Sequence, residues 1–466
     1  MEENSAMCEK ILRSLENILS TDEEIQEFTV IPTAENKHNK SPVLYEQNCL
    51  GLESWCRKYL LQYTHDVLLK NRKALLRNQL SLENMKNLNH ILIGALLIQP
   101  NVTTFWNMKR ELVKSEILDV EQELYFSKLA LSQHSKCSEI FSYRKWLINL
   151  LLFKETYLRI LENELSVCEM AAEKSKNNYH SWNHRIWCLE KFSKQQSDIE
   201  SIVLSELNFS IKWIPKHISE NSGYYYRQIL LMNLNNLKSI SINIFENSNF
   251  DNIIEYFKLL IFNEEHYSTL HYLLGKSNNY SIIESYPKYF NMLSILLNDL
   301  IYISAELNYL YRDHECLWNY RKFLMVYLMK MIHEYYGIEF TYNLQVKNPY
   351  VGDFMSVNIL NLDIDTSNVG AVISKQIASC ELYNILIKHE IEFIRNNKNM
   401  TNSLQNNLAV MYFKWLKCTN FYNDEFYEQL LENIEWGFRK GFDRSHDEFR
   451  IIYSESEKIK RTVISN

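Results

Sequence analysis

The chain is poor in the two residues that tight turns require. Its 466 residues include only 9 glycines and 6 prolines, whereas average usage is about 7% and 5%. So few turn residues argue against an all-β fold and against glycine-rich phosphate loops. The chain also contains no Walker loop and no GxGxxG or GxSxG motif. The common nucleotide-binding and hydrolase signatures are therefore excluded.

Other absences limit the environment and the partners. The nine cysteines include no CxxC pair, so neither a zinc knuckle nor a disulfide framework is indicated. The longest apolar run, ILIGALLI at 91–98, is far shorter than the ~20 residues of a membrane span. The acidic start lacks the order of a signal peptide, and a net charge of −7 favours neither nucleic acid nor an anionic membrane. We expect a reduced, cytoplasmic protein that binds no nucleic acid and does not insert into a membrane.

An aromatic–arginine motif recurs along the chain. NYHSWNHRIW (178–187) contains one copy, and FSYRKWL at Phe141 and WNYRKFL at Trp318 are further copies of aromatic-x-x-Arg. Weaker copies are YYYRQIL at Tyr224, WNMKREL at Trp106, where Lys109 replaces the arginine, and VMYFKWL at 410–416, where Phe413 replaces it. The first four starts are 35, 41 and 42 residues apart, followed by gaps of 94 and 92. A fixed period of this kind predicts a repeat architecture.

Each well-formed copy follows a polar break and an earlier helical stretch, so the unit is a helical hairpin of about 40 residues. Such hairpins bury their apolar faces only by stacking on neighbours. We therefore predict an all-α fold, an α-solenoid forming an α–α superhelix. The predicted order is an N-terminal helical lead-in (1–30), hairpin repeats (31–230, cores near 106, 141, 182 and 224), an Asn-rich insertion with connecting helices (231–312), further repeats (313–418, cores near 318 and 410, with a loop at 343–370), and a C-terminal helix and tail (419–466).

The repeated aromatic and arginine residues are interpreted as a packing clasp. A guanidinium can stack on a ring while bridging a neighbour's carboxylate, and several near-copies of an active site are implausible. The predicted core set is Trp106, Phe141, Arg144, Trp182, Arg185, Tyr224, Arg227, Trp318 and Arg321. A zinc site from His180 and His184 has the spacing of two ligands on one helix face, but the sequence offers no HExxH pattern and no third ligand. We predict no metal site on this chain.

The motifs resemble those of the protein prenyltransferase α subunits, whose hairpins carry an N-Y-x-x-W-x-x-R core. NYHSWNHRIW matches that core closely, while EQNCLGLESWC (46–56), VTTFWNMKREL (102–112), SGYYYRQIL (222–230) and HECLWNYRKF (314–323) resemble a third branch of the family beside the α subunits of farnesyltransferase and of the Rab enzyme. The likeness runs from about residue 30 to about 330. It does not cover the two insertions or the C-terminal segment.

The resemblance implies a subunit rather than a free-standing enzyme. In these heterodimers the α chain wraps around a β subunit, which holds the zinc, the isoprenoid pocket and the thiol-binding residues. The implied β partner is of the Rab geranylgeranyltransferase type, and geranylgeranyl diphosphate is the co-substrate. The implied protein substrate has a cysteine near its C-terminus, such as a SNARE that already carries one prenyl group. No cofactor is expected on this chain itself.

The resemblance also implies four site residues. A lysine five positions before the second repeat's aromatic lies near the departing diphosphate in the family, and Lys136 takes that position here. The family's tyrosine two residues later is Ser138. Asn178, Tyr179 and His180 match the family's N-Y-H near the substrates. Asn178 is interpreted as a helix cap, whereas the roles of Tyr179 and His180 stay open.

Two rival functions remain beside the subunit hypothesis. One is an interaction scaffold that binds proteins without a transferase role, which the replacement of arginine by Lys109 and Phe413 mildly favours unless those copies are capping repeats. The other is a metal-dependent hydrolase, which has no support beyond His180 and His184. Lys136 together with an intact N-Y-H favours the subunit, because a scaffold needs neither.

Overall fold

The computed structural model describes residues 2–22, 24–34, 41–77, 79–151, 157–193, 199–236, 287–336, 386, 389–398 and 403–418. Most of the predicted Asn-rich insertion, the loop at 343–370 and the tail at 419–466 lie outside these residues. Contacts divide the chain into two compact units, Met1–Ile199 and Glu200–Asn466. Among the described helices, none combines the length and the apolar character that crossing a bilayer requires.

The first unit is mainly helical. Its helices are α1 (Glu2–Thr21), α2 (Arg57–Leu76), α3 (Leu82–Lys86), α4 (Asn89–Ile98), α5 (Thr103–Lys114), α6 (Val120–Gln133), α7 (Ser138–Leu151), α8 (Tyr157–Lys174) and α9 (Tyr179–Ser193). Helices α4, α6 and α8 pack in one series, and α5, α7 and α9 pack in a second. Stacked helical hairpins, the fold class that the repeats predict, are therefore confirmed in this unit.

A small sheet separates α1 from α2 along the chain. Strands β1 (Glu27–Ile31), β2 (Val43–Glu46) and β3 (Cys49–Glu53) form it, with β3 central, parallel to β1 and antiparallel to β2. The two residues joining β2 to β3, Gln47 and Asn48, have φ values of 49° and 62°. Positive φ at both positions is what a tight hairpin of matching twist requires. These strands were not predicted from the sequence: most of β1 falls in the predicted helical lead-in (1–30), and β2 and β3 fall in the predicted helical repeats.

The sheet packs on the repeats through β1. The Phe28 side chain is fully buried, and its backbone amide donates to Ser132 Oγ of α6 at 2.8 Å. The sheet's own packing is tight at Gly51 of β3, where an added Cβ would lie 2.6 Å from Ile31 Cδ1. The sheet therefore shares its core with the hairpins that follow it.

The apolar run at 91–98 is the central helix of this core. Every residue of α4 from His90 to Ile98 is buried, which is typical of a short apolar helix enclosed by other helices. Helix α1 approaches it closely, since a Cβ added at Gly94 would lie 2.0 Å from Leu12 Cδ2. A side chain at position 94 would force the Leu12 side chain to shift.

Local capping explains where the hairpins turn. The Asp119 carboxylate accepts hydrogen bonds from the amides of Glu121 and Gln122 and begins α6, because a free helix N-terminus exposes unpaired amides. Before α9, Asn177 adopts a left-handed conformation with φ of 52°. Asparagine tolerates that conformation better than most residues do.

The second unit repeats the arrangement over fewer described residues. Its helices are α10 (Ile199–Trp213), α11 (Asn221–Asn236), α12 (Pro287–Asn298), α13 (Glu315–Tyr336) and α14 (Ser403–Cys418), with a further helical stretch at 389–398. Helix α12 continues through a π-helical segment, Asp299–Glu306, into a short turn of α-helix, Leu307–Leu310. Helix α13 packs against α11, α12, the π-helical segment and α14.

Candidate functional site

One polar interaction recurs in the core of both units, and we call it the clasp. A basic side chain from the second helix of one hairpin meets a carboxylate from the first helix of the next hairpin. A tyrosine or histidine from that next hairpin donates to the same carboxylate. The clasps seen are Lys109–Glu123–Tyr143 and Arg144–Glu164–His184 in the first unit, and Arg227–Asp299–Tyr320 and Arg321–Glu390–Tyr412 in the second. All twelve of these side chains are buried.

The clasp of Arg144 shows how one guanidinium joins three helices. Its Nε donates to Glu164 Oε2 at 3.1 Å, and its Nη2 donates to Oε1 of the same carboxylate. Nη1 donates to the Leu124 carbonyl at 2.6 Å and to Ser127 Oγ at 2.8 Å, both on α6. Since guanidinium is planar and carries donors on both edges, a single Arg144 ties α7 to α6 and to α8.

The second unit uses the same geometry with an aspartate, whose side chain is shorter than that of glutamate. Arg227 Nε and Nη2 each donate to Asp299 at 2.7 Å, and Nη1 donates at 2.8 Å to the Leu207 carbonyl and to Ser210 Oγ. Asp299 is the first residue of the π-helical segment. A π-helical turn holds more residues than an α-helical one. This fits the longer spacing in this clasp, because Asp299 lies 21 residues before Tyr320 whereas Glu164 lies 20 residues before His184.

The outer copies depart from the arginine pattern in different ways. Lys109 Nζ donates to Glu123 Oε1 at 2.6 Å. Lysine therefore keeps the ion pair, although it lacks the planar set of paired donors that arginine has. Phe413 is buried in the arginine position of the last copy. In that copy Tyr412 still donates to Glu390 Oε2 at 2.7 Å, so the donor half of the clasp persists.

Burial and charge compete at the clasp carboxylates. Burial by itself would raise the pKa of Glu164, but the charge of Arg144 and hydrogen bonds from His184 and Arg144 outweigh it and lower that pKa to about 2. Glu390 has the same balance, with its pKa lowered to about 2 by Arg321 and His389 against the opposing effect of burial. Both groups are therefore ionised at neutral pH and depend on their arginines.

The repeated motif predicts the arginines of the clasps but not their carboxylate partners. Each clasp carboxylate lies 20 to 22 residues before the tyrosine or histidine that donates to it. A leucine or isoleucine follows each one directly, as in Glu164-Leu165 and Asp299-Leu300. An acidic residue followed by leucine or isoleucine, 20 to 22 residues before the tyrosine or histidine of the motif, is the sequence signal that identifies them. The predicted stacking of arginine on a ring is seen at Arg321, whose guanidinium lies 3.6 Å from the centre of the Phe393 ring.

A buried trio, Glu164, His184 and Cys188, places three donor atoms within 4.8 Å of one another. The trio does not suit a metal ion. Glu164 already accepts from Arg144 and His184, so a metal ion would have to displace a buried, charge-assisted pair. Burial also raises the pKa of the Cys188 thiol well above its usual value. His180 is exposed on the surface while His184 is buried, so the histidine pair considered from the sequence is not formed.

The remaining predicted site residues lie at the turns before α7 and α9. Lys136 is exposed in the turn between α6 and α7. In the first turn of α9, Tyr179 is 58% exposed and His180 is exposed beside it. Burial opposes the lowering of the Glu139 pKa, which comes from hydrogen bonds donated by its own backbone amide, Ser138 and Cys137, and to a smaller extent from nearby His180. We call Lys136, Tyr179 and His180 the turn group.

Asn178 is buried and holds the turn group in place. Its Oδ1 accepts from the Ser181 amide at 3.2 Å and caps α9. Its Nδ2 donates to the Ser135 carbonyl at 2.7 Å and to the Ala171 carbonyl at 2.9 Å. Because Ser135 directly precedes Lys136, this amide fixes the lysine's turn relative to Tyr179. A second bond between Ser135 Oγ and Ser175 Oγ, at 2.7 Å, joins the same two turns.

Two of the hairpins match a known repeat. Residues 120–151 and 161–192 match a family model for the protein prenyltransferase alpha subunit repeat. These ranges contain α6, α7 and most of α8 and α9, including the complete Arg144 clasp, Asn178 and the turn between α6 and α7.

The chain contains the protein prenyltransferase alpha subunit repeat and is similar to proteins that are named for it. Protein prenyltransferase alpha subunit repeat-containing protein 1 of Homo sapiens is 34% identical over 251 residues, covering 50% of this chain and 60% of the relative. Its Danio rerio counterpart is 33% identical over 248 residues, covering 49% and 56%. Geranylgeranyl transferase type-2 subunit alpha of Candida albicans is 25% identical over 162 residues, covering 30% and 42%. The matches to the first two relatives span less than two thirds of their length.

Removing one clasp arginine should destabilise the fold. In Arg144→Ala the buried Glu164 loses its counter-charge, and breaking a buried pair in this way costs about 3–5 kcal/mol. We expect a large fall in the free energy of unfolding measured by denaturant titration. Arg144→Lys should cost less, because Lys109 performs the same task in a neighbouring hairpin.

Arg159→Ala is the matched control for Arg144→Ala. Arg159 lies on α8 and pairs with Glu121 at 3.4 Å, but both side chains are exposed, and exposed pairs contribute about 0–1 kcal/mol. Equal losses in Arg144→Ala and Arg159→Ala would show that the clasp does not stabilise the core.

His184→Tyr should preserve the stability of the fold, whereas His184→Phe should lower it. Tyrosine fills the same position in the other clasps and donates to the carboxylate. Burial lowers the pKa of His184 more than Glu164 raises it, so the residue acts as a neutral donor that tyrosine can replace. Phenylalanine leaves Glu164 short of a donor, which typically costs about 1–3 kcal/mol. Equal melting temperatures for His184→Tyr and His184→Phe would contradict the assignment.

Proposed function

We propose that this chain is the α-type subunit of a protein geranylgeranyltransferase. In this proposal it pairs with a β subunit of the Rab type and helps attach geranylgeranyl to a cysteine near the C-terminus of a target protein, such as an already prenylated SNARE. The observation that carries the proposal is the turn group. Lys136, Tyr179 and His180 are exposed on two turns that the buried Asn178 side chain links by a hydrogen bond. The arginines of the repeats, in contrast, are buried in the core.

The residues of this chain have a supporting chemical role. When geranylgeranyl is transferred, the bond from its first carbon to the diphosphate oxygen breaks, a bond to the cysteine sulfur forms, and the diphosphate leaves with its negative charge. A fixed ammonium group beside the leaving oxygen atoms stabilises that charge. Lys136 is solvent-exposed and held on an ordered turn, so it can meet a diphosphate bound by a partner.

The rest of the catalytic machinery belongs to the β subunit in this proposal. Zinc, which activates the cysteine thiol in these transferases, is expected there. The buried trio of Glu164, His184 and Cys188 supports this division, because its carboxylate is committed to Arg144. The relative named geranylgeranyl transferase type-2 subunit alpha supports the geranylgeranyl class.

Two replacements of arginine, by Lys109 and by Phe413, favoured the scaffold alternative, and the first of them no longer supports it. Lys109, whose replacement of arginine favoured it, still forms the buried ion pair of a clasp at 2.6 Å. The substitution is therefore compatible with ordinary packing of the repeat.

Assembly with a β subunit tests the proposal directly. We expect the full chain to co-elute with a Rab-type β subunit in size-exclusion chromatography after co-expression, and to transfer no geranylgeranyl on its own. The assay would use geranylgeranyl diphosphate and a C-terminal cysteine peptide. Robust turnover by the isolated chain, or failure to bind any of the candidate β subunits, would contradict the subunit assignment.

A second test addresses Lys136. Lys136→Ala should leave heterodimer formation intact and slow single-turnover transfer on the order of 10²-fold, since a positioned charge acts mainly in the transition state. Lys136→Arg should lose less, because the charge remains. Lys70→Ala, which removes an exposed lysine from α2, should have no effect. An unchanged rate in Lys136→Ala would make this residue an ordinary surface lysine.

A further inference from the structure

A pocket outside the turn group lies between α2 and α5. Its volume is about 290 Å³, at the lower limit of the ~300–1,000 Å³ typical of small-molecule sites. It is lined by Arg72, Leu76, Thr104, Asn107, Arg110, Glu111 and Lys114. A space of this size fits a small polar group and not a long hydrocarbon chain.

The charges around the pocket do not cancel. Three basic side chains line it against one carboxylate, and that carboxylate, Glu111, already pairs with Lys114 at 2.8 Å. Arg72 and Arg110 therefore remain without a counter-charge among the residues that line the pocket. Neither arginine forms an ion pair with any carboxylate in the part of the chain that the structure describes.

Two aromatic rings and one hydrogen bond hold the Arg110 side chain at the pocket. Its guanidinium lies 5.7 Å from the centres of both the Tyr143 and the Trp146 rings. One of its terminal nitrogens donates to Asn107 Oδ1. Its Nε, in contrast, is buried without a hydrogen-bond partner.

A buried donor left unpaired costs stability, and burial also lowers the pKa of Arg110. The Nε atom lies too deep for a ligand to reach, but an anion at the terminal nitrogens would favour the charged guanidinium and offset the effect of burial. The Thr104 hydroxyl lines the same pocket and adds a donor to those of Arg72 and Arg110.

We propose that this pocket binds a phosphoryl group, held between the guanidinium groups of Arg72 and Arg110 with the Thr104 hydroxyl as a further donor. Guanidinium matches the geometry of phosphate oxygens through paired donors. The group could belong to a soluble phosphate compound or to a lipid headgroup, which share this chemistry. None of the lining residues belongs to the turn group, so the proposal is independent of Lys136 and of the transferase assignment.

The test uses the full chain with inorganic pyrophosphate in isothermal titration calorimetry. We expect saturable binding that weakens on the order of tenfold in Arg110→Gln and in Arg72→Gln, the loss of one charge-assisted hydrogen bond. Arg159→Gln, which removes an exposed arginine of the same unit, should bind normally. Lys136→Ala should bind normally as well, which separates this site from the turn group.

Further arms identify the ligand class and its source. Acetate that competes as strongly as pyrophosphate would overturn the phosphoryl assignment, as would unchanged affinity in both arginine variants. Co-sedimentation with equimolar phosphatidylcholine–phosphatidate vesicles, lost in Arg72→Gln, would support a lipid headgroup as the source. Pyrophosphate binding without co-sedimentation would support a soluble one. If Arg110→Gln lowers the melting temperature, the exposed Arg72 still decides the result, because its side chain does not pack in the core.

Discussion

A carboxylate enclosed in a protein core needs a counter-charge and hydrogen-bond donors, and the hairpins of this chain meet that need in one repeated way. The carboxylate of one hairpin is satisfied by the arginine of the hairpin before it and by the tyrosine or histidine that follows it in its own hairpin. Neither hairpin can satisfy the group alone. The buried charge therefore makes the stack specific, because a hairpin displaced in register would leave an ion without a partner.

The second helix of each hairpin carries its core residues and its surface residues on different turns. Their middle turns carry the basic residue and the tyrosine or histidine, which lie in the core. Their first turns reach the surface, where the α7 and α9 ends carry the turn group. Asn178 connects these levels, since it caps α9 and binds the turn before α7 with the same amide. The position of the Lys136 backbone is thus a consequence of packing.

Much of this architecture follows from the sequence. The aromatic–arginine spacing predicts the hairpins, and the low glycine and proline content is typical of a helical chain. The polar break before each motif indicates the turns, and Asn178 appears as a cap. The small sheet was missed because its strands are only 4 or 5 residues long and one of its pairings is parallel. Such a pairing depends on a contact between segments distant in sequence.

What the sequence by itself determined is the repeat, its period and the burial of its motif residues, because these depend on local periodicity that neighbouring positions share. Only the tertiary structure decided which carboxylate each arginine meets, since that choice joins positions 20 to 72 residues apart through helix packing. The tertiary structure also decided that His180 is exposed and His184 buried, although both lie on one helix. Likewise, Arg72 and Arg110 share a pocket only because α2 packs against α5, a proximity that no spacing along the chain encodes.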